Sequence, residues 1–173
     1  MQLYSRQKSL SVDLTGKDEL TARSGLNDGI HEIEVILICR PSTSEILSAQ
    51  VEMIHRPWNL CEEAAKAITL IEGMKIGPGV RKEIEQKIGK RTGCFHVADL
   101  VIEAIRGLIQ GQYRLRYRPA TTKEERMKDL QRDMKDSCFA YSNPQLELEA
   151  VGEWIEGNLL PEQYAELQQI LAK

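Results

Sequence analysis

The chain has 173 residues, of which 42% are hydrophobic and 28% charged, and its net charge is −3. This is the size and mixture of a soluble globular domain, and it excludes a disordered chain, a collagen-like repeat and a disulfide scaffold. Folding at this length buries roughly 70% of the unfolded surface, enough for one sizeable core with a helical appendage but not for two cores.

The longest apolar runs, such as Val35 to Cys39, fall far short of the roughly 20 residues that cross a bilayer. Met1 to Lys8 leads into polar residues, not into the apolar core of a signal peptide. The expectation is a cytoplasmic protein with no membrane segment. In that compartment the four cysteines, Cys39, Cys61, Cys94 and Cys138, stay reduced and available to a metal or to thiolate chemistry. Charge is uneven along the chain, with 11 acidic and 6 basic residues over 119–173. Nothing here forms the concentrated basic face that phosphates demand, so nucleic acid is not an expected partner.

Leu10, Val12 and Leu14 alternate on a first short strand, and Asp28-Gly29 marks a turn. Ile33, Val35 and Leu37 then alternate with Glu32, Glu34 and Ile36, until Pro41 to Thr43 breaks the strand. Leu47, Ala49, Val51 and Met53 alternate with Ser48, Gln50 and Glu52, which is a strand with one wet face. The region reads as an antiparallel sheet of three or four strands.

After Pro57 the period becomes helical. Asn59, with Glu62 three residues on, caps a helix carrying Leu60, Ala64, Ile68 and Ile71 on one face, and Gly73 stops it. A hinge at Ile76-Gly77-Pro78-Gly79 precedes a short charged helix from Val80 to Ile88. Gly93-Cys94-Phe95-His96 opens the longest buried helix, with a stripe of Val97, Leu100, Val101, Ala104, Ile105, Leu108 and Ile109 closed by Gly111. Tyr113 to Arg118 alternates as an extended segment, and Thr122 with Glu125 caps a helix reaching about Met134. Two further amphipathic helices are read over 144–155 and 161–171, the last presenting Tyr164, Leu167 and Leu171 to the domain or to a second copy. The fold class is therefore α+β: a small antiparallel N-terminal sheet packed on a long core helix, with additional C-terminal helices. Residues 1–141 form the domain and 142–173 a helical extension packed on it.

The sharpest chemical feature is Gly93-Cys94-Phe95-His96-Val97-Ala98-Asp99. A thiol at a helix start meets unpaired N–H groups and the positive dipole end, which favour the thiolate. His96 is placed to share a metal or act as a base, and Asp99 at i+3 to orient its imidazole. No paired Cys-x-x-Cys spacing is present, so a tetrahedral site has to be assembled from distant segments. The natural donors are Cys94, His96, Cys61 and His55, with Cys138 as an additional thiol. Cys39 reads as a buried hydrophobe. Gly77-Pro78-Gly79 lacks the strand and the Gly-Lys-Ser/Thr ending of a phosphate loop, and there is no serine-hydrolase elbow, His-Glu-x-x-His or dinucleotide fingerprint.

The ordered set Asp28-Gly29, Glu34, His55-x-x-Trp58, Cys61, Gly73-x-x-Ile76-Gly77-Pro78-Gly79, Gly93-Cys94-x-His96 and Asp136-Ser137-Cys138-Phe139-Ala140 resembles a bacterial family, the domain of unknown function family 2889. The resemblance runs from about Leu20 to Tyr141. It implies no assigned activity, but it does imply Cys or His at the positions of His55, Cys61, Cys94, His96 and Cys138, and none at Cys39 or His31. A looser analogy, at the level of a small sheet and one Gly-Cys dipeptide, is to iron-sulfur scaffold proteins.

Three readings follow. The first is a metal-binding or thiol-dependent protein with zinc or an iron-sulfur cluster at the Cys/His group. The second is an interaction module, docking a protein partner or a second copy, whose cysteines only pack. The third is an enzyme using Cys94 as nucleophile, His96 as base and Asp99 to orient it.

Overall fold

The computed structural model describes residues 1–116, 123–143 and 169. The chain divides into two compact units, one built on Met1–Gln112 and one on Tyr113–Gln169.

The first unit begins with four strands, β1 (Gln7–Gly16), β2 (Glu19–Asn27), β3 (Glu32–Arg40) and β4 (Glu45–His55), paired antiparallel in chain order. Register explains the alternation in the sequence. Val12, Ala22, Leu37 and Ala49 are cross-strand partners on one face, as are Leu14, Leu20, Cys39 and Ile46 in the next row. The opposite face carries Ser11, Arg23, Ile36 and Gln50 in one row, and it stays wetter. One expectation needs correcting. Leu47 does not join the buried face of β4; it is the extra residue of a bulge between Ile46 and Ser48, and Ile46 is buried in its place.

The outer edge of β4 is covered rather than left open. Helix α1 (Leu60–Ala65) passes into a 3₁₀ turn over Lys66–Ile71, so the expected single helix up to Gly73 is two short pieces. Asn59 precedes α1 as expected, but its side chain makes no capping hydrogen bond. Only the C-terminal part of the expected stripe is buried, at Ile68 and Ile71, while Leu60 is 77% exposed. Gly73 then takes a φ of +78°, which L side chains rarely adopt, and turns the chain back onto β4. There its N–H donates to Ile46 O (2.8 Å), Ile46 N–H donates to Met74 O (2.9 Å), and Ala49 N–H donates to Glu72 Oε1 (3.0 Å). These bonds occupy strand-edge groups that would otherwise invite another chain.

Helix α2 (Val80–Lys87) and helix α3 (Phe95–Arg116) follow. The face of α3 that carries Val97, Leu100, Val101, Ala104 and Leu108 is fully buried, and the sheet packs against it. Two details fix the approach. The Ser24 hydroxyl donates to Leu100 O at 2.8 Å in the buried layer. Gly107 and Gly111 let β1 come in close, since a Cβ at these positions would lie 2.8 Å from Leu10 Cδ1 and 2.9 Å from Val12 Cγ1. Gly111 is thus a contact residue inside the helix and not its end, and Tyr113 to Arg116 is helical, not extended.

In the second unit, helix α4 (Lys123–Asp133) agrees with the expected helix, and residues 134–143 form turns closed by Ser137 N–H to Met134 O and Ser142 N–H to Cys138 O, both 2.9 Å. The helices expected over 144–155 and 161–171 lie outside the described residues. Among the described residues no helix is long and apolar enough to cross a membrane.

Candidate functional site

At one end of the first unit, the segment before β1, the turn between β2 and β3 and the first turn of α3 meet around Asp28. Asn27-Asp28-Gly29 is a turn sequence for a physical reason: short polar side chains bond the backbone two or three residues on, and glycine accepts the φ of +82° found at Gly29. Asp28 Oδ1 accepts from the N–H of Ile30 at 3.1 Å and of His31 at 2.8 Å. Its Oδ2 accepts from Arg6 Nη2 at 2.8 Å and from the Tyr4 hydroxyl at 3.2 Å. The carboxylate is nearly buried, with a side chain 3% exposed. The His31 N–H, followed by the Arg6 guanidinium, holds the Asp28 carboxyl well below the usual carboxylate range despite the opposing effect of burial.

His31 Nδ1 lies 3.2 Å from Asp28 Oδ1, and the His31 ring stacks on that of His96 with centroids 4.1 Å apart and planes 38° from parallel. Phe95 meets His96 edge-on, with centroids 5.8 Å apart. Burial pushes the His96 pKa down from its ordinary value, and neighbouring His31 and Arg6 push the same way. Both imidazoles are half-buried. One donor atom each from Asp28, His31 and His96 lies within 4.8 Å of the others, the one such trio of His, Cys, Asp or Glu among the described residues.

The residues expected to make the site are distributed as follows. His96 is in the trio. Cys94 immediately precedes α3, with its carbonyl accepting from Ala98 N–H at 3.0 Å, and its side chain is half-buried. Asp99 forms an ion pair with Lys8. Cys61 lies half-buried in α1, and His55 ends β4 with its Nδ1 2.6 Å from Glu32 Oε2 on an exposed surface. No group of three that includes Cys94, Cys61 or His55 meets the same 4.8 Å spacing among the described residues. Cys138 is exposed in the second unit, and all four thiols are free. In the sequence Asp28 reads only as a turn signal and His31 as a histidine without a family counterpart. The missed signal was the Asx pattern itself: a carboxylate held by its own turn beside a histidine is an oriented donor.

A family match covers residues 3–110. The chain belongs to the family described as protein of unknown function (DUF2889). The DUF2889 match begins ahead of Leu20, so it takes in Tyr4 and Arg6 together with the rest of the site, and it ends before the Asp136–Ala140 motif. No curated protein and no solved structure matches the chain.

Exposure ranks the thiols. Cys39 is 0% exposed, and burial, with Asp18 and Glu45 nearby, pushes its pKa up to about 11. In an iodoacetamide time course read by mass spectrometry, Cys138 is expected to react first, Cys61 and Cys94 next, and Cys39 only after unfolding. Labelling of Cys39 in the native protein at the rate of Cys138 would contradict the register of β3.

Proposed function

We propose that the first unit is a divalent-metal-binding domain whose ligands are Asp28, His31 and His96. The observation that carries this reading is that one donor atom from each lies within 4.8 Å of the others; ligands about 2.0 to 2.2 Å from one ion stand at most about 4.4 Å apart, so a small inward shift of these side chains would close them on an ion. The protonation states support it. His96, held below its ordinary pKa, is neutral at pH 7 with a lone pair to give, and Asp28 is ionised. Two imidazoles and a carboxylate suit zinc or ferrous iron; an iron-sulfur cluster asks for thiolates. Three protein ligands leave a coordination position for an exchangeable group. The free cysteines suit a reducing compartment such as the cytoplasm.

Elemental analysis and zinc titration of the purified chain test the reading. One ion per chain is expected, and His31→Ala and His96→Ala should each weaken binding by at least about 100-fold, more than loss of an orienting group costs. His55→Ala should leave binding unchanged. Loss of the ion in Cys94→Ser, with retention in His31→Ala, would move the site to the cysteine-histidine group. A second reading, a docking surface for a partner or a second copy, draws on Trp58 and Leu60, which are 73% and 77% exposed at the start of α1.

A further inference from the structure

The surroundings of the trio carry more charge and more exposed apolar surface than a structural ion needs. Arg6 commits Nη2 to Asp28, and its side chain remains 30% exposed. Lys8 and Asp99 neutralise one another. A bound divalent ion, Arg6 and Asp28 together leave the site two positive charges in excess, in a half-buried place where an unbalanced charge is costly. An anion answers that excess. Three residues in contact with the site expose large side chains to solvent: Tyr4 at 56%, Ile30 at 57% and Phe95 at 68% exposure. Tyr4 bonds Asp28 through its hydroxyl, Ile30 does so through its backbone N–H, and the Phe95 ring packs against His96. Phe95 also borders a cleft of about 280 Å³ between α2 and α3, walled by Ala98 and Ile102 together with the charged Arg81, Glu85, Lys90 and Asp99. A small inorganic anion would have no use for this apolar rim.

We propose that the site takes an apolar carboxylic acid, its carboxylate shared between the metal ion and the Arg6 guanidinium and its hydrocarbon body against Phe95, Ile30 and Tyr4. The N–H groups that Arg6 does not give to Asp28 can donate a charge-assisted hydrogen bond to one carboxylate oxygen, and the ion's free coordination position takes the other. The proposal rests on the metal-binding reading above and adds the class of ligand.

The test uses the full chain loaded with cobalt(II), whose visible spectrum reports changes at the ion, with cobalt content measured for every variant. Benzoate is the probe, and acetate and inorganic phosphate are the comparisons. Benzoate is expected to change the spectrum at least about tenfold more tightly than acetate or phosphate, because its ring buries apolar area that they lack. Arg6 also bonds the ligand Asp28, so Arg6→Gln is compared at cobalt concentrations that load it fully, and there it should lose at least about tenfold in benzoate affinity. Phe95→Ala should bring benzoate towards acetate. A chain that takes up no cobalt overturns the metal reading and this proposal with it. A cobalt-loaded chain whose spectrum ignores benzoate, or answers phosphate equally well, overturns the carboxylate proposal alone, as does an Arg6→Gln variant with unchanged benzoate affinity.

Discussion

Replacing Gly93 with alanine is expected to cost about 3 kcal/mol, the upper end of what overpacking usually costs. The backbone at Gly93 is extended, with φ −166°, so conformation is not the obstacle. Space is. A Cβ there would lie 2.2 Å from Ile88 O and 2.8 Å from Ile88 C, which are backbone atoms at the end of α2 and cannot rotate away as a side-chain tip would. Ile88 is itself 1% exposed, so the strain passes into the core. For a chain of this size a loss of about 3 kcal/mol lowers the melting temperature by roughly 9 °C. Gly77→Ala is the control: nothing lies within 4 Å of its Cβ, and a change within about 0.5 kcal/mol is expected. Thermal and urea melts of both variants decide it. A Gly93→Ala variant that melts with the wild type would mean that the α2–α3 junction is looser than these distances imply. Because Gly93 stands three residues before His96, the same variant should also weaken zinc binding, whereas Gly77→Ala should not.

That junction shows where the sequence was readable and where it was not. The switch from alternation to helical spacing at Pro57 placed the sheet ahead of the helices, and the apolar stripe from Val97 to Leu108 identified the helix that the sheet covers. Such signals are local: each depends on residues two to four apart. The close packing of Gly107 and Gly111 on Leu10 and Val12 is not local, so Gly111 looked like a stop. The site failed to appear for the same reason. His31 and His96 are 65 positions apart in the chain, and nothing in either neighbourhood announces that the β2–β3 turn reaches the first turn of α3. His96 was visible because it follows Cys94 at a helix start. Its partners were hidden because a turn aspartate and a lone histidine have ordinary structural uses, and only packing decides otherwise.

Strand register is what brings His31 to His96, and it leads to a second large expected effect. Leu37→Ala should destabilise the chain by about 2 to 5 kcal/mol, while Ile36→Ala, one residue away, should cost only about 1 kcal/mol. Leu37 is 0% exposed and sits between Ala22 and Ala49 on the face against α3, and truncating it leaves a cavity that small neighbours cannot fill. Ile36 lies between Arg23 and Gln50 on the wetter face, where solvent and long side chains close the gap. Because side chains alternate with a period of two, a one-residue slip of β3 would exchange the two costs. It would also exchange the chemistry at the strand's start. In the register described, His31 stacks on His96 and the next residue, Glu32, turns away to pair with His55 on β4. Slipped by one, an acidic side chain would face α3 and the two imidazoles would part. Urea denaturation of Leu37→Ala and Ile36→Ala therefore reads the geometry of the site through the stability of the strand. A larger loss for Ile36→Ala than for Leu37→Ala would separate His31 from His96 and remove the metal trio with it.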